Sequence, residues 1–81
     1  MKLFILTCAY ADDRGAINLA TPEVYQTRED ALKALEDEYH RLEPEFSETM
    51  DSDLDLDLGT ADIYTNNDGY STYQISEVEV A

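Results

Sequence analysis

Leu32, Leu35, Tyr39, Leu42 and Phe46 recur at spacings of 3, 4, 3 and 4, with Ala31 alongside, and this single helical stripe constrains the fold more than any other feature. A helix with one apolar face needs a second layer on which to bury it, and every other ordered segment of the chain reads as β. Thr27 is placed to cap the helix, with Glu29 and Asp30 favourably in its first turn. Glu29 with Lys33 and Asp37 with Arg41 form i, i+4 pairs, each contributing only a few tenths of a kcal/mol. Pro44 disfavours helical geometry at Glu43, whereas Phe46 and Met50 continue the stripe, so the helix either kinks there or ends and restarts.

Lys2 to Ala11 is apolar on both faces, as expected of a central strand. Asp12-Asp13-Arg14-Gly15 then makes a turn, and a second strand follows within Ala16 to Gln26. Pro22 cannot donate a ladder hydrogen bond, so that strand is an edge or is interrupted near Thr21-Pro22. Ala61 to Thr65 and Tyr70 to Val80 form a hairpin closed by Asn66-Asn67-Asp68-Gly69. In its last strand the apolar parity switches from Tyr73 and Ile75 to Val78 and Val80, which predicts a β-bulge near Ser76-Glu77. The expected fold is α+β: one domain over residues 1–81, a mainly antiparallel sheet of about four strands in the order ββαββ, and one helix packed on one face.

Charge restricts function more sharply than it restricts fold. The net charge is -14, and no lysine or arginine occurs from Glu43 onward, where eleven of the nineteen acids lie. Phosphate-backbone binding needs clustered Lys and Arg, so direct nucleic-acid binding is excluded and the expected partner is a basic protein surface. Hydrophobic residues at 43% are too many for a disordered acidic tail and provide a core that offsets chain entropy. Self-repulsion should make stability rise with ionic strength. Cys8, the lone cysteine, can form no disulfide within the chain and reads as a buried, inert thiol. The short apolar run after Lys2 lacks the basic flank of a signal peptide, and no apolar run approaches the ~20 residues of a membrane span. A cytoplasmic protein without membrane attachment is expected.

Motifs of catalysis are missing. Asp51, Asp53, Asp55, Asp57 and Asp62 fall at positions 1, 3, 5, 7 and 12 of a calcium loop, but Leu56 stands where such a loop turns on glycine, so no specific metal site is expected. His40 among Glu36, Asp37 and Glu43 reads as a surface residue held toward its protonated form. Asp12-Asp13 and Glu36-Asp37 have no cleft around them, no nucleophile elbow or phosphate-cradling loop is present, and neither enzymatic activity nor a cofactor is expected.

The remaining signal is a surface. Asp51 to Gly59 alternates acid and leucine, which in a strand sets Asp53, Asp55 and Asp57 on one face and Leu54, Leu56 and Leu58 on the other as anchors. Same-face carboxylates then stand about 6.6 to 6.8 Å apart, close to twice the ~3.4 Å step of a DNA strand. Tyr64, Tyr70 and Tyr73 cluster about the last hairpin, where aromatics rimmed by acids suit a partner's arginines. The candidate partner-binding residues are Glu45, Glu48, Asp51, Asp53, Asp55, Asp57, Asp62, Tyr64, Asp68 and Tyr70.

In size, acidity and its helix with β-hairpins, the chain resembles the small DNA-mimic proteins that phages and mobile elements use against host nucleases, including anti-CRISPR proteins. The resemblance covers composition and architecture, and it implies an inhibitor that occupies a nucleic-acid channel. The alternative is a small interaction or structural domain whose acidity secures solubility. Exposed sheet edges leave a homodimer open to either.

Overall fold

Ten residues apolar on both faces, Lys2–Ala11, form β1, the strand that pairs with β2, β3 and β6. The computed structural model describes every residue except Asp13, Asn67 and Asp68. After β1 come β2 (Ile17–Leu19), β3 (Glu23–Tyr25), α1 (Arg28–Leu42), a 3-10 turn (Glu43–Glu45), β4 (Asp53–Asp55), β5 (Thr60–Tyr64) and β6 (Tyr70–Glu79). All pairings are antiparallel, in the order β2-β1-β6-β5-β4, with β3 also on β1.

The α+β class with one helix is as expected, but the strands number six rather than about four, for two local reasons. Pro22 splits the edge: β2 pairs with Ala9 to Ala11 and β3 with Phe4 to Leu6, while the Ala20 N–H still reaches the Cys8 carbonyl at 3.0 Å. The other addition is β4, which adds three residues to the far edge against Thr60 to Asp62. Both edges are therefore short, so the long exposed edge that would favour edge-to-edge dimerisation does not form. In the first turn Asp12 accepts from the Arg14 and Ala16 N–H groups at 2.9 and 3.0 Å.

The helix starts where Thr27, in extended geometry, accepts from the Asp30 N–H at 3.1 Å. It lies across β1, β3, β5 and β6, and its Ala31 and Leu35 are fully buried. Leu35 meets Leu6, Ala61, Ile63 and Tyr73 in the core; Tyr39, Leu42, Phe46 and Ala34 pack around them. Leu32 is only half-buried and lies outside this cluster. At Pro44 the helix neither kinks and continues nor restarts as a second α-helix carrying Phe46 and Met50. It stops at Leu42, and the 3-10 turn hands the chain to Phe46, which bridges to Thr65 and packs edge-to-face on Tyr39 at 4.9 Å. Met50, 51% exposed, does not continue the stripe, because the chain has left helical geometry by then. The expected i, i+4 pairs give way to Lys33 with Asp37 at 3.4 Å and Arg41 with Glu38.

The expected bulge is absent. The β1 and β6 register runs unbroken from Lys2 opposite Glu79 to Ala11 opposite Tyr70. Tyr73 and Ile75 face the helix, so Val78 lies on the opposite face of the sheet, against which no described element packs. The parity switch marks a strand apolar on both sides.

Candidate partner-binding surface

Ion pairing among the described residues takes in five of the acids and leaves others, Glu29, Asp30 and Glu36 of the helix among them, without a partner. Glu38, Asp37 and Glu43 pair with Arg41, Lys33 and His40 on the helix, and Glu77 pairs with Lys2 at 3.7 Å at one end of the sheet. Glu43 raises the His40 pKa through its hydrogen bond, with Glu36 and Asp37 adding to it, as the clustering of these acids suggests. By contrast Glu45, Glu48, Asp51, Asp53 and Asp57 have no ion-pair partner among the described residues, and all five are exposed. They follow one another from the 3-10 turn through the connection to β4 and around the turn after it. Arg28 approaches this region, but it donates to the Asp57 main-chain carbonyl at 2.7 Å.

Asp53 stands directly opposite Asp62 across the β4 and β5 ladder. Opposed residues in such a ladder bring their Cβ atoms to about 4.5–5.5 Å, and like charges there are destabilising. Asp62 is half-buried and accepts from the Tyr70 hydroxyl at 2.6 Å, which raises the Tyr70 pKa. Tyr64 and Tyr70 lie with ring centroids 4.9 Å apart beside this pair.

The expected row of three aspartates does not form. β4 ends at Asp55, residues 56–59 turn, and Asp57 sits in that turn rather than along a strand. Asp55 is half-buried and its carboxylate accepts from the Asp57 and Leu58 N–H groups, both at 3.0 Å. It shapes the turn from within and is not displayed to a partner. Among the leucines only Leu54 packs on the core; Leu56 and Leu58 are 40% and 70% exposed, because the turn ends the alternation that would have buried them. Tyr73 parts from Tyr64 and Tyr70: its odd position puts it under the helix, 8% exposed, where burial first and then the Cys8 thiol raise its pKa. Burial likewise pushes the Cys8 thiol up, away from its nucleophilic form. Asp68 lies outside the described residues.

No family model, curated protein or solved structure matches this chain. Function rests on the surface itself.

Two properties of that surface bear on chemistry. Among the described residues no group of three or more His, Cys, Asp or Glu is placed to hold a metal ion, and Asp51 to Asp62 folds as a β-hairpin rather than a loop converging on a centre. No described helix is long and apolar enough to cross a membrane. The separation of roles also predicts a mutant. Asp55→Ala should cost about 1 kcal/mol by removing the acceptor of two turn N–H groups, whereas Asp55→Asn, which keeps an acceptor oxygen, should cost less. Thermal unfolding of both variants checks this; equal stability of Asp55→Ala and the parent would contradict it.

Proposed function

We propose that this protein is an acidic nucleic-acid mimic without enzymatic activity, acting in the cytoplasm on the basic nucleic-acid-binding surface of a nuclease or defence effector, in the manner of anti-CRISPR inhibitors. The observation that carries the reading is the run of exposed, unpaired acids Glu45, Glu48, Asp51, Asp53 and Asp57, with Asp53 held opposite Asp62. A sheet edge that opposes like charges gives up stability, and a partner bringing arginines and lysines would recover it. The molecule extends 43 Å in its longest dimension, the rise of about 12 base-pair steps. Tyr64 and Tyr70 supply flat aromatic area beside the acids for guanidinium stacking.

The test begins with capture of nucleic-acid enzymes on the immobilised protein, with and without competing DNA or RNA; binding by this route is lost to the competitor and falls steeply with salt. Association rates of two triple variants with the captured enzyme then locate the effect. Glu48→Gln, Asp51→Asn and Asp53→Asn together should slow association about tenfold or more at low salt. Glu29→Gln, Glu36→Gln and Asp37→Asn together should change it far less, because Arg28, Lys33 and Arg41 already dilute that face. Equal effects from the two sets, or none from either, would return the acidity to a general solubility device.

That outcome would favour the second reading, a protein-interaction domain. A different observation speaks for it: the sheet face opposite the helix carries exposed Ile17, Leu19 and Val24.

A further inference from the structure

An antiparallel sheet with a helix on one side ordinarily turns charged and polar side chains to water on the other. This sheet turns out polar side chains, Thr7, Thr72, Gln74 and Ser76, among apolar ones, but no charged ones. By strand alternation the face away from α1 is made of the odd positions of β1, the even positions of β6, Ile17 and Leu19 of β2 and Val24 of β3, and not one of these is charged. In a chain with 30% charged residues and a net charge of -14, every charge has been kept off this patch. Its apolar members are in register: Leu3 opposite Val78, Ile5 opposite Val24, with Leu19 and Ile17 continuing along the same edge. Ile17 is 75%, Leu19 80% and Val24 58% exposed. Acids begin only beyond it, at Asp62 of β5 and Asp53 of β4.

We infer that this face is the interface of a homodimer in which two copies stack sheet to sheet. Charge selects the occupant. A basic partner would find no acid here to pair with, whereas an uncharged patch is complementary to its own copy, as a twofold interface requires. With the twofold along β1, the β2 and β3 edge of one copy covers β6 of the other. The acidic β5 and β4 strands of each copy then overhang the contact instead of meeting their twins. The helices end on the two outer sides, about 30 Å apart for layers spaced by about 10 Å, against a Debye length of about 8 Å at physiological salt. Three strands spaced by about 4.8 Å and about 34 Å long cover roughly 480 Å² per copy, near the ~1,000 Å² total that a specific interface needs. The dimer leaves the acids of β4 and β5 free but covers Tyr70 of β6, and its salt dependence has the sign opposite to that of the inhibitor reading.

Sedimentation of the whole protein over a wide concentration range, at low and moderate salt, tests the inference. The expected result is a particle of twice the 9.2 kDa chain mass that grows more stable as salt rises. Leu19→Asp and Val24→Asp should each weaken it roughly a hundredfold by burying an unpaired charge. Both positions are exposed in the single chain, so circular dichroism of these variants should match the parent. Leu58→Asp, at a site 70% exposed outside the patch, should leave the dimer intact. A monomer at every concentration and salt, a dimer indifferent to both patch variants, or a dimer that dissociates as salt rises would each overturn it.

Discussion

Leu35→Ala will lower the free energy of unfolding by about 2–5 kcal/mol, the largest loss expected from any single truncation in this chain. Leu35 is fully buried at the centre of α1, against Leu6, Ala61, Ile63 and Tyr73, which come from three different strands. The side chain thus ties α1 to β1, β5 and β6 at once, and its removal leaves a cavity lined by all three. A domain of this length has roughly 4–12 kcal/mol of stability in all, so the variant should lose a large share of it. Urea titration should show a lower midpoint with an unchanged slope. A midpoint within error of the parent would mean that the helix buries a different face.

Gly59→Ala should cost about 1–3 kcal/mol through backbone geometry, with no loss of apolar contact. Gly59 ends the turn between β4 and β5 at φ +71°, and an added Cβ would lie 3.2 Å from the Ile75 Cβ. It cannot retreat, since its N–H donates to the Asp55 carbonyl at 2.9 Å and its carbonyl accepts from the Ile75 N–H at 2.8 Å. Gly15 is the built-in control. Its φ is +79° but nothing lies within 4 Å of an added Cβ, so Gly15→Ala should show the left-handed penalty alone. Thermal unfolding of the two variants separates the steric part, and equal losses would show that Ile75 gives way freely.

Much of this architecture is legible in the residues because local signals agree. The Thr27 cap and the two-sided Lys2 to Ala11 strand are realised as read, the stripe is realised at Leu35, Tyr39, Leu42 and Phe46 but not at Leu32 or Met50, and of the two outcomes at Pro22 the strand is an interrupted edge. The misreadings arise where one pattern has two meanings. Acid-leucine alternation from Asp51 to Leu58 fits a strand throughout, but Asp55, four residues before Gly59, finds two turn N–H groups, and that local bond with a glycine free to turn ends the strand. The parity switch between Ile75 and Val78 fits a bulge, yet it equally fits a strand with apolar residues on both faces. Only the continuous β1 register distinguishes them. For the candidate surface, the acids Glu45, Glu48, Asp51, Asp53 and Asp57 were visible as residues lacking nearby cations in the chain. What the sequence could not show was that Asp55 is consumed internally and that Asp62 faces Asp53, since both depend on pairing across strands.

The two short edges of the sheet are defended by different means. On the β2 and β3 side the defence is covalent: Pro22 interrupts the edge and has no N–H to offer an incoming strand. On the β4 side it is ionic and rests on the exposed Asp53, since Asp55 turns its carboxylate into the following turn. A covalent guard is indifferent to pH, whereas an ionic one weakens as the net charge of the molecule falls. As the medium approaches the isoelectric point near pH 4.1, repulsion between molecules fades while the open ladder of β4 remains. Acidification therefore unlocks one edge only, and with a single open edge per molecule strand addition under those conditions would stop at two copies joined β4 to β4.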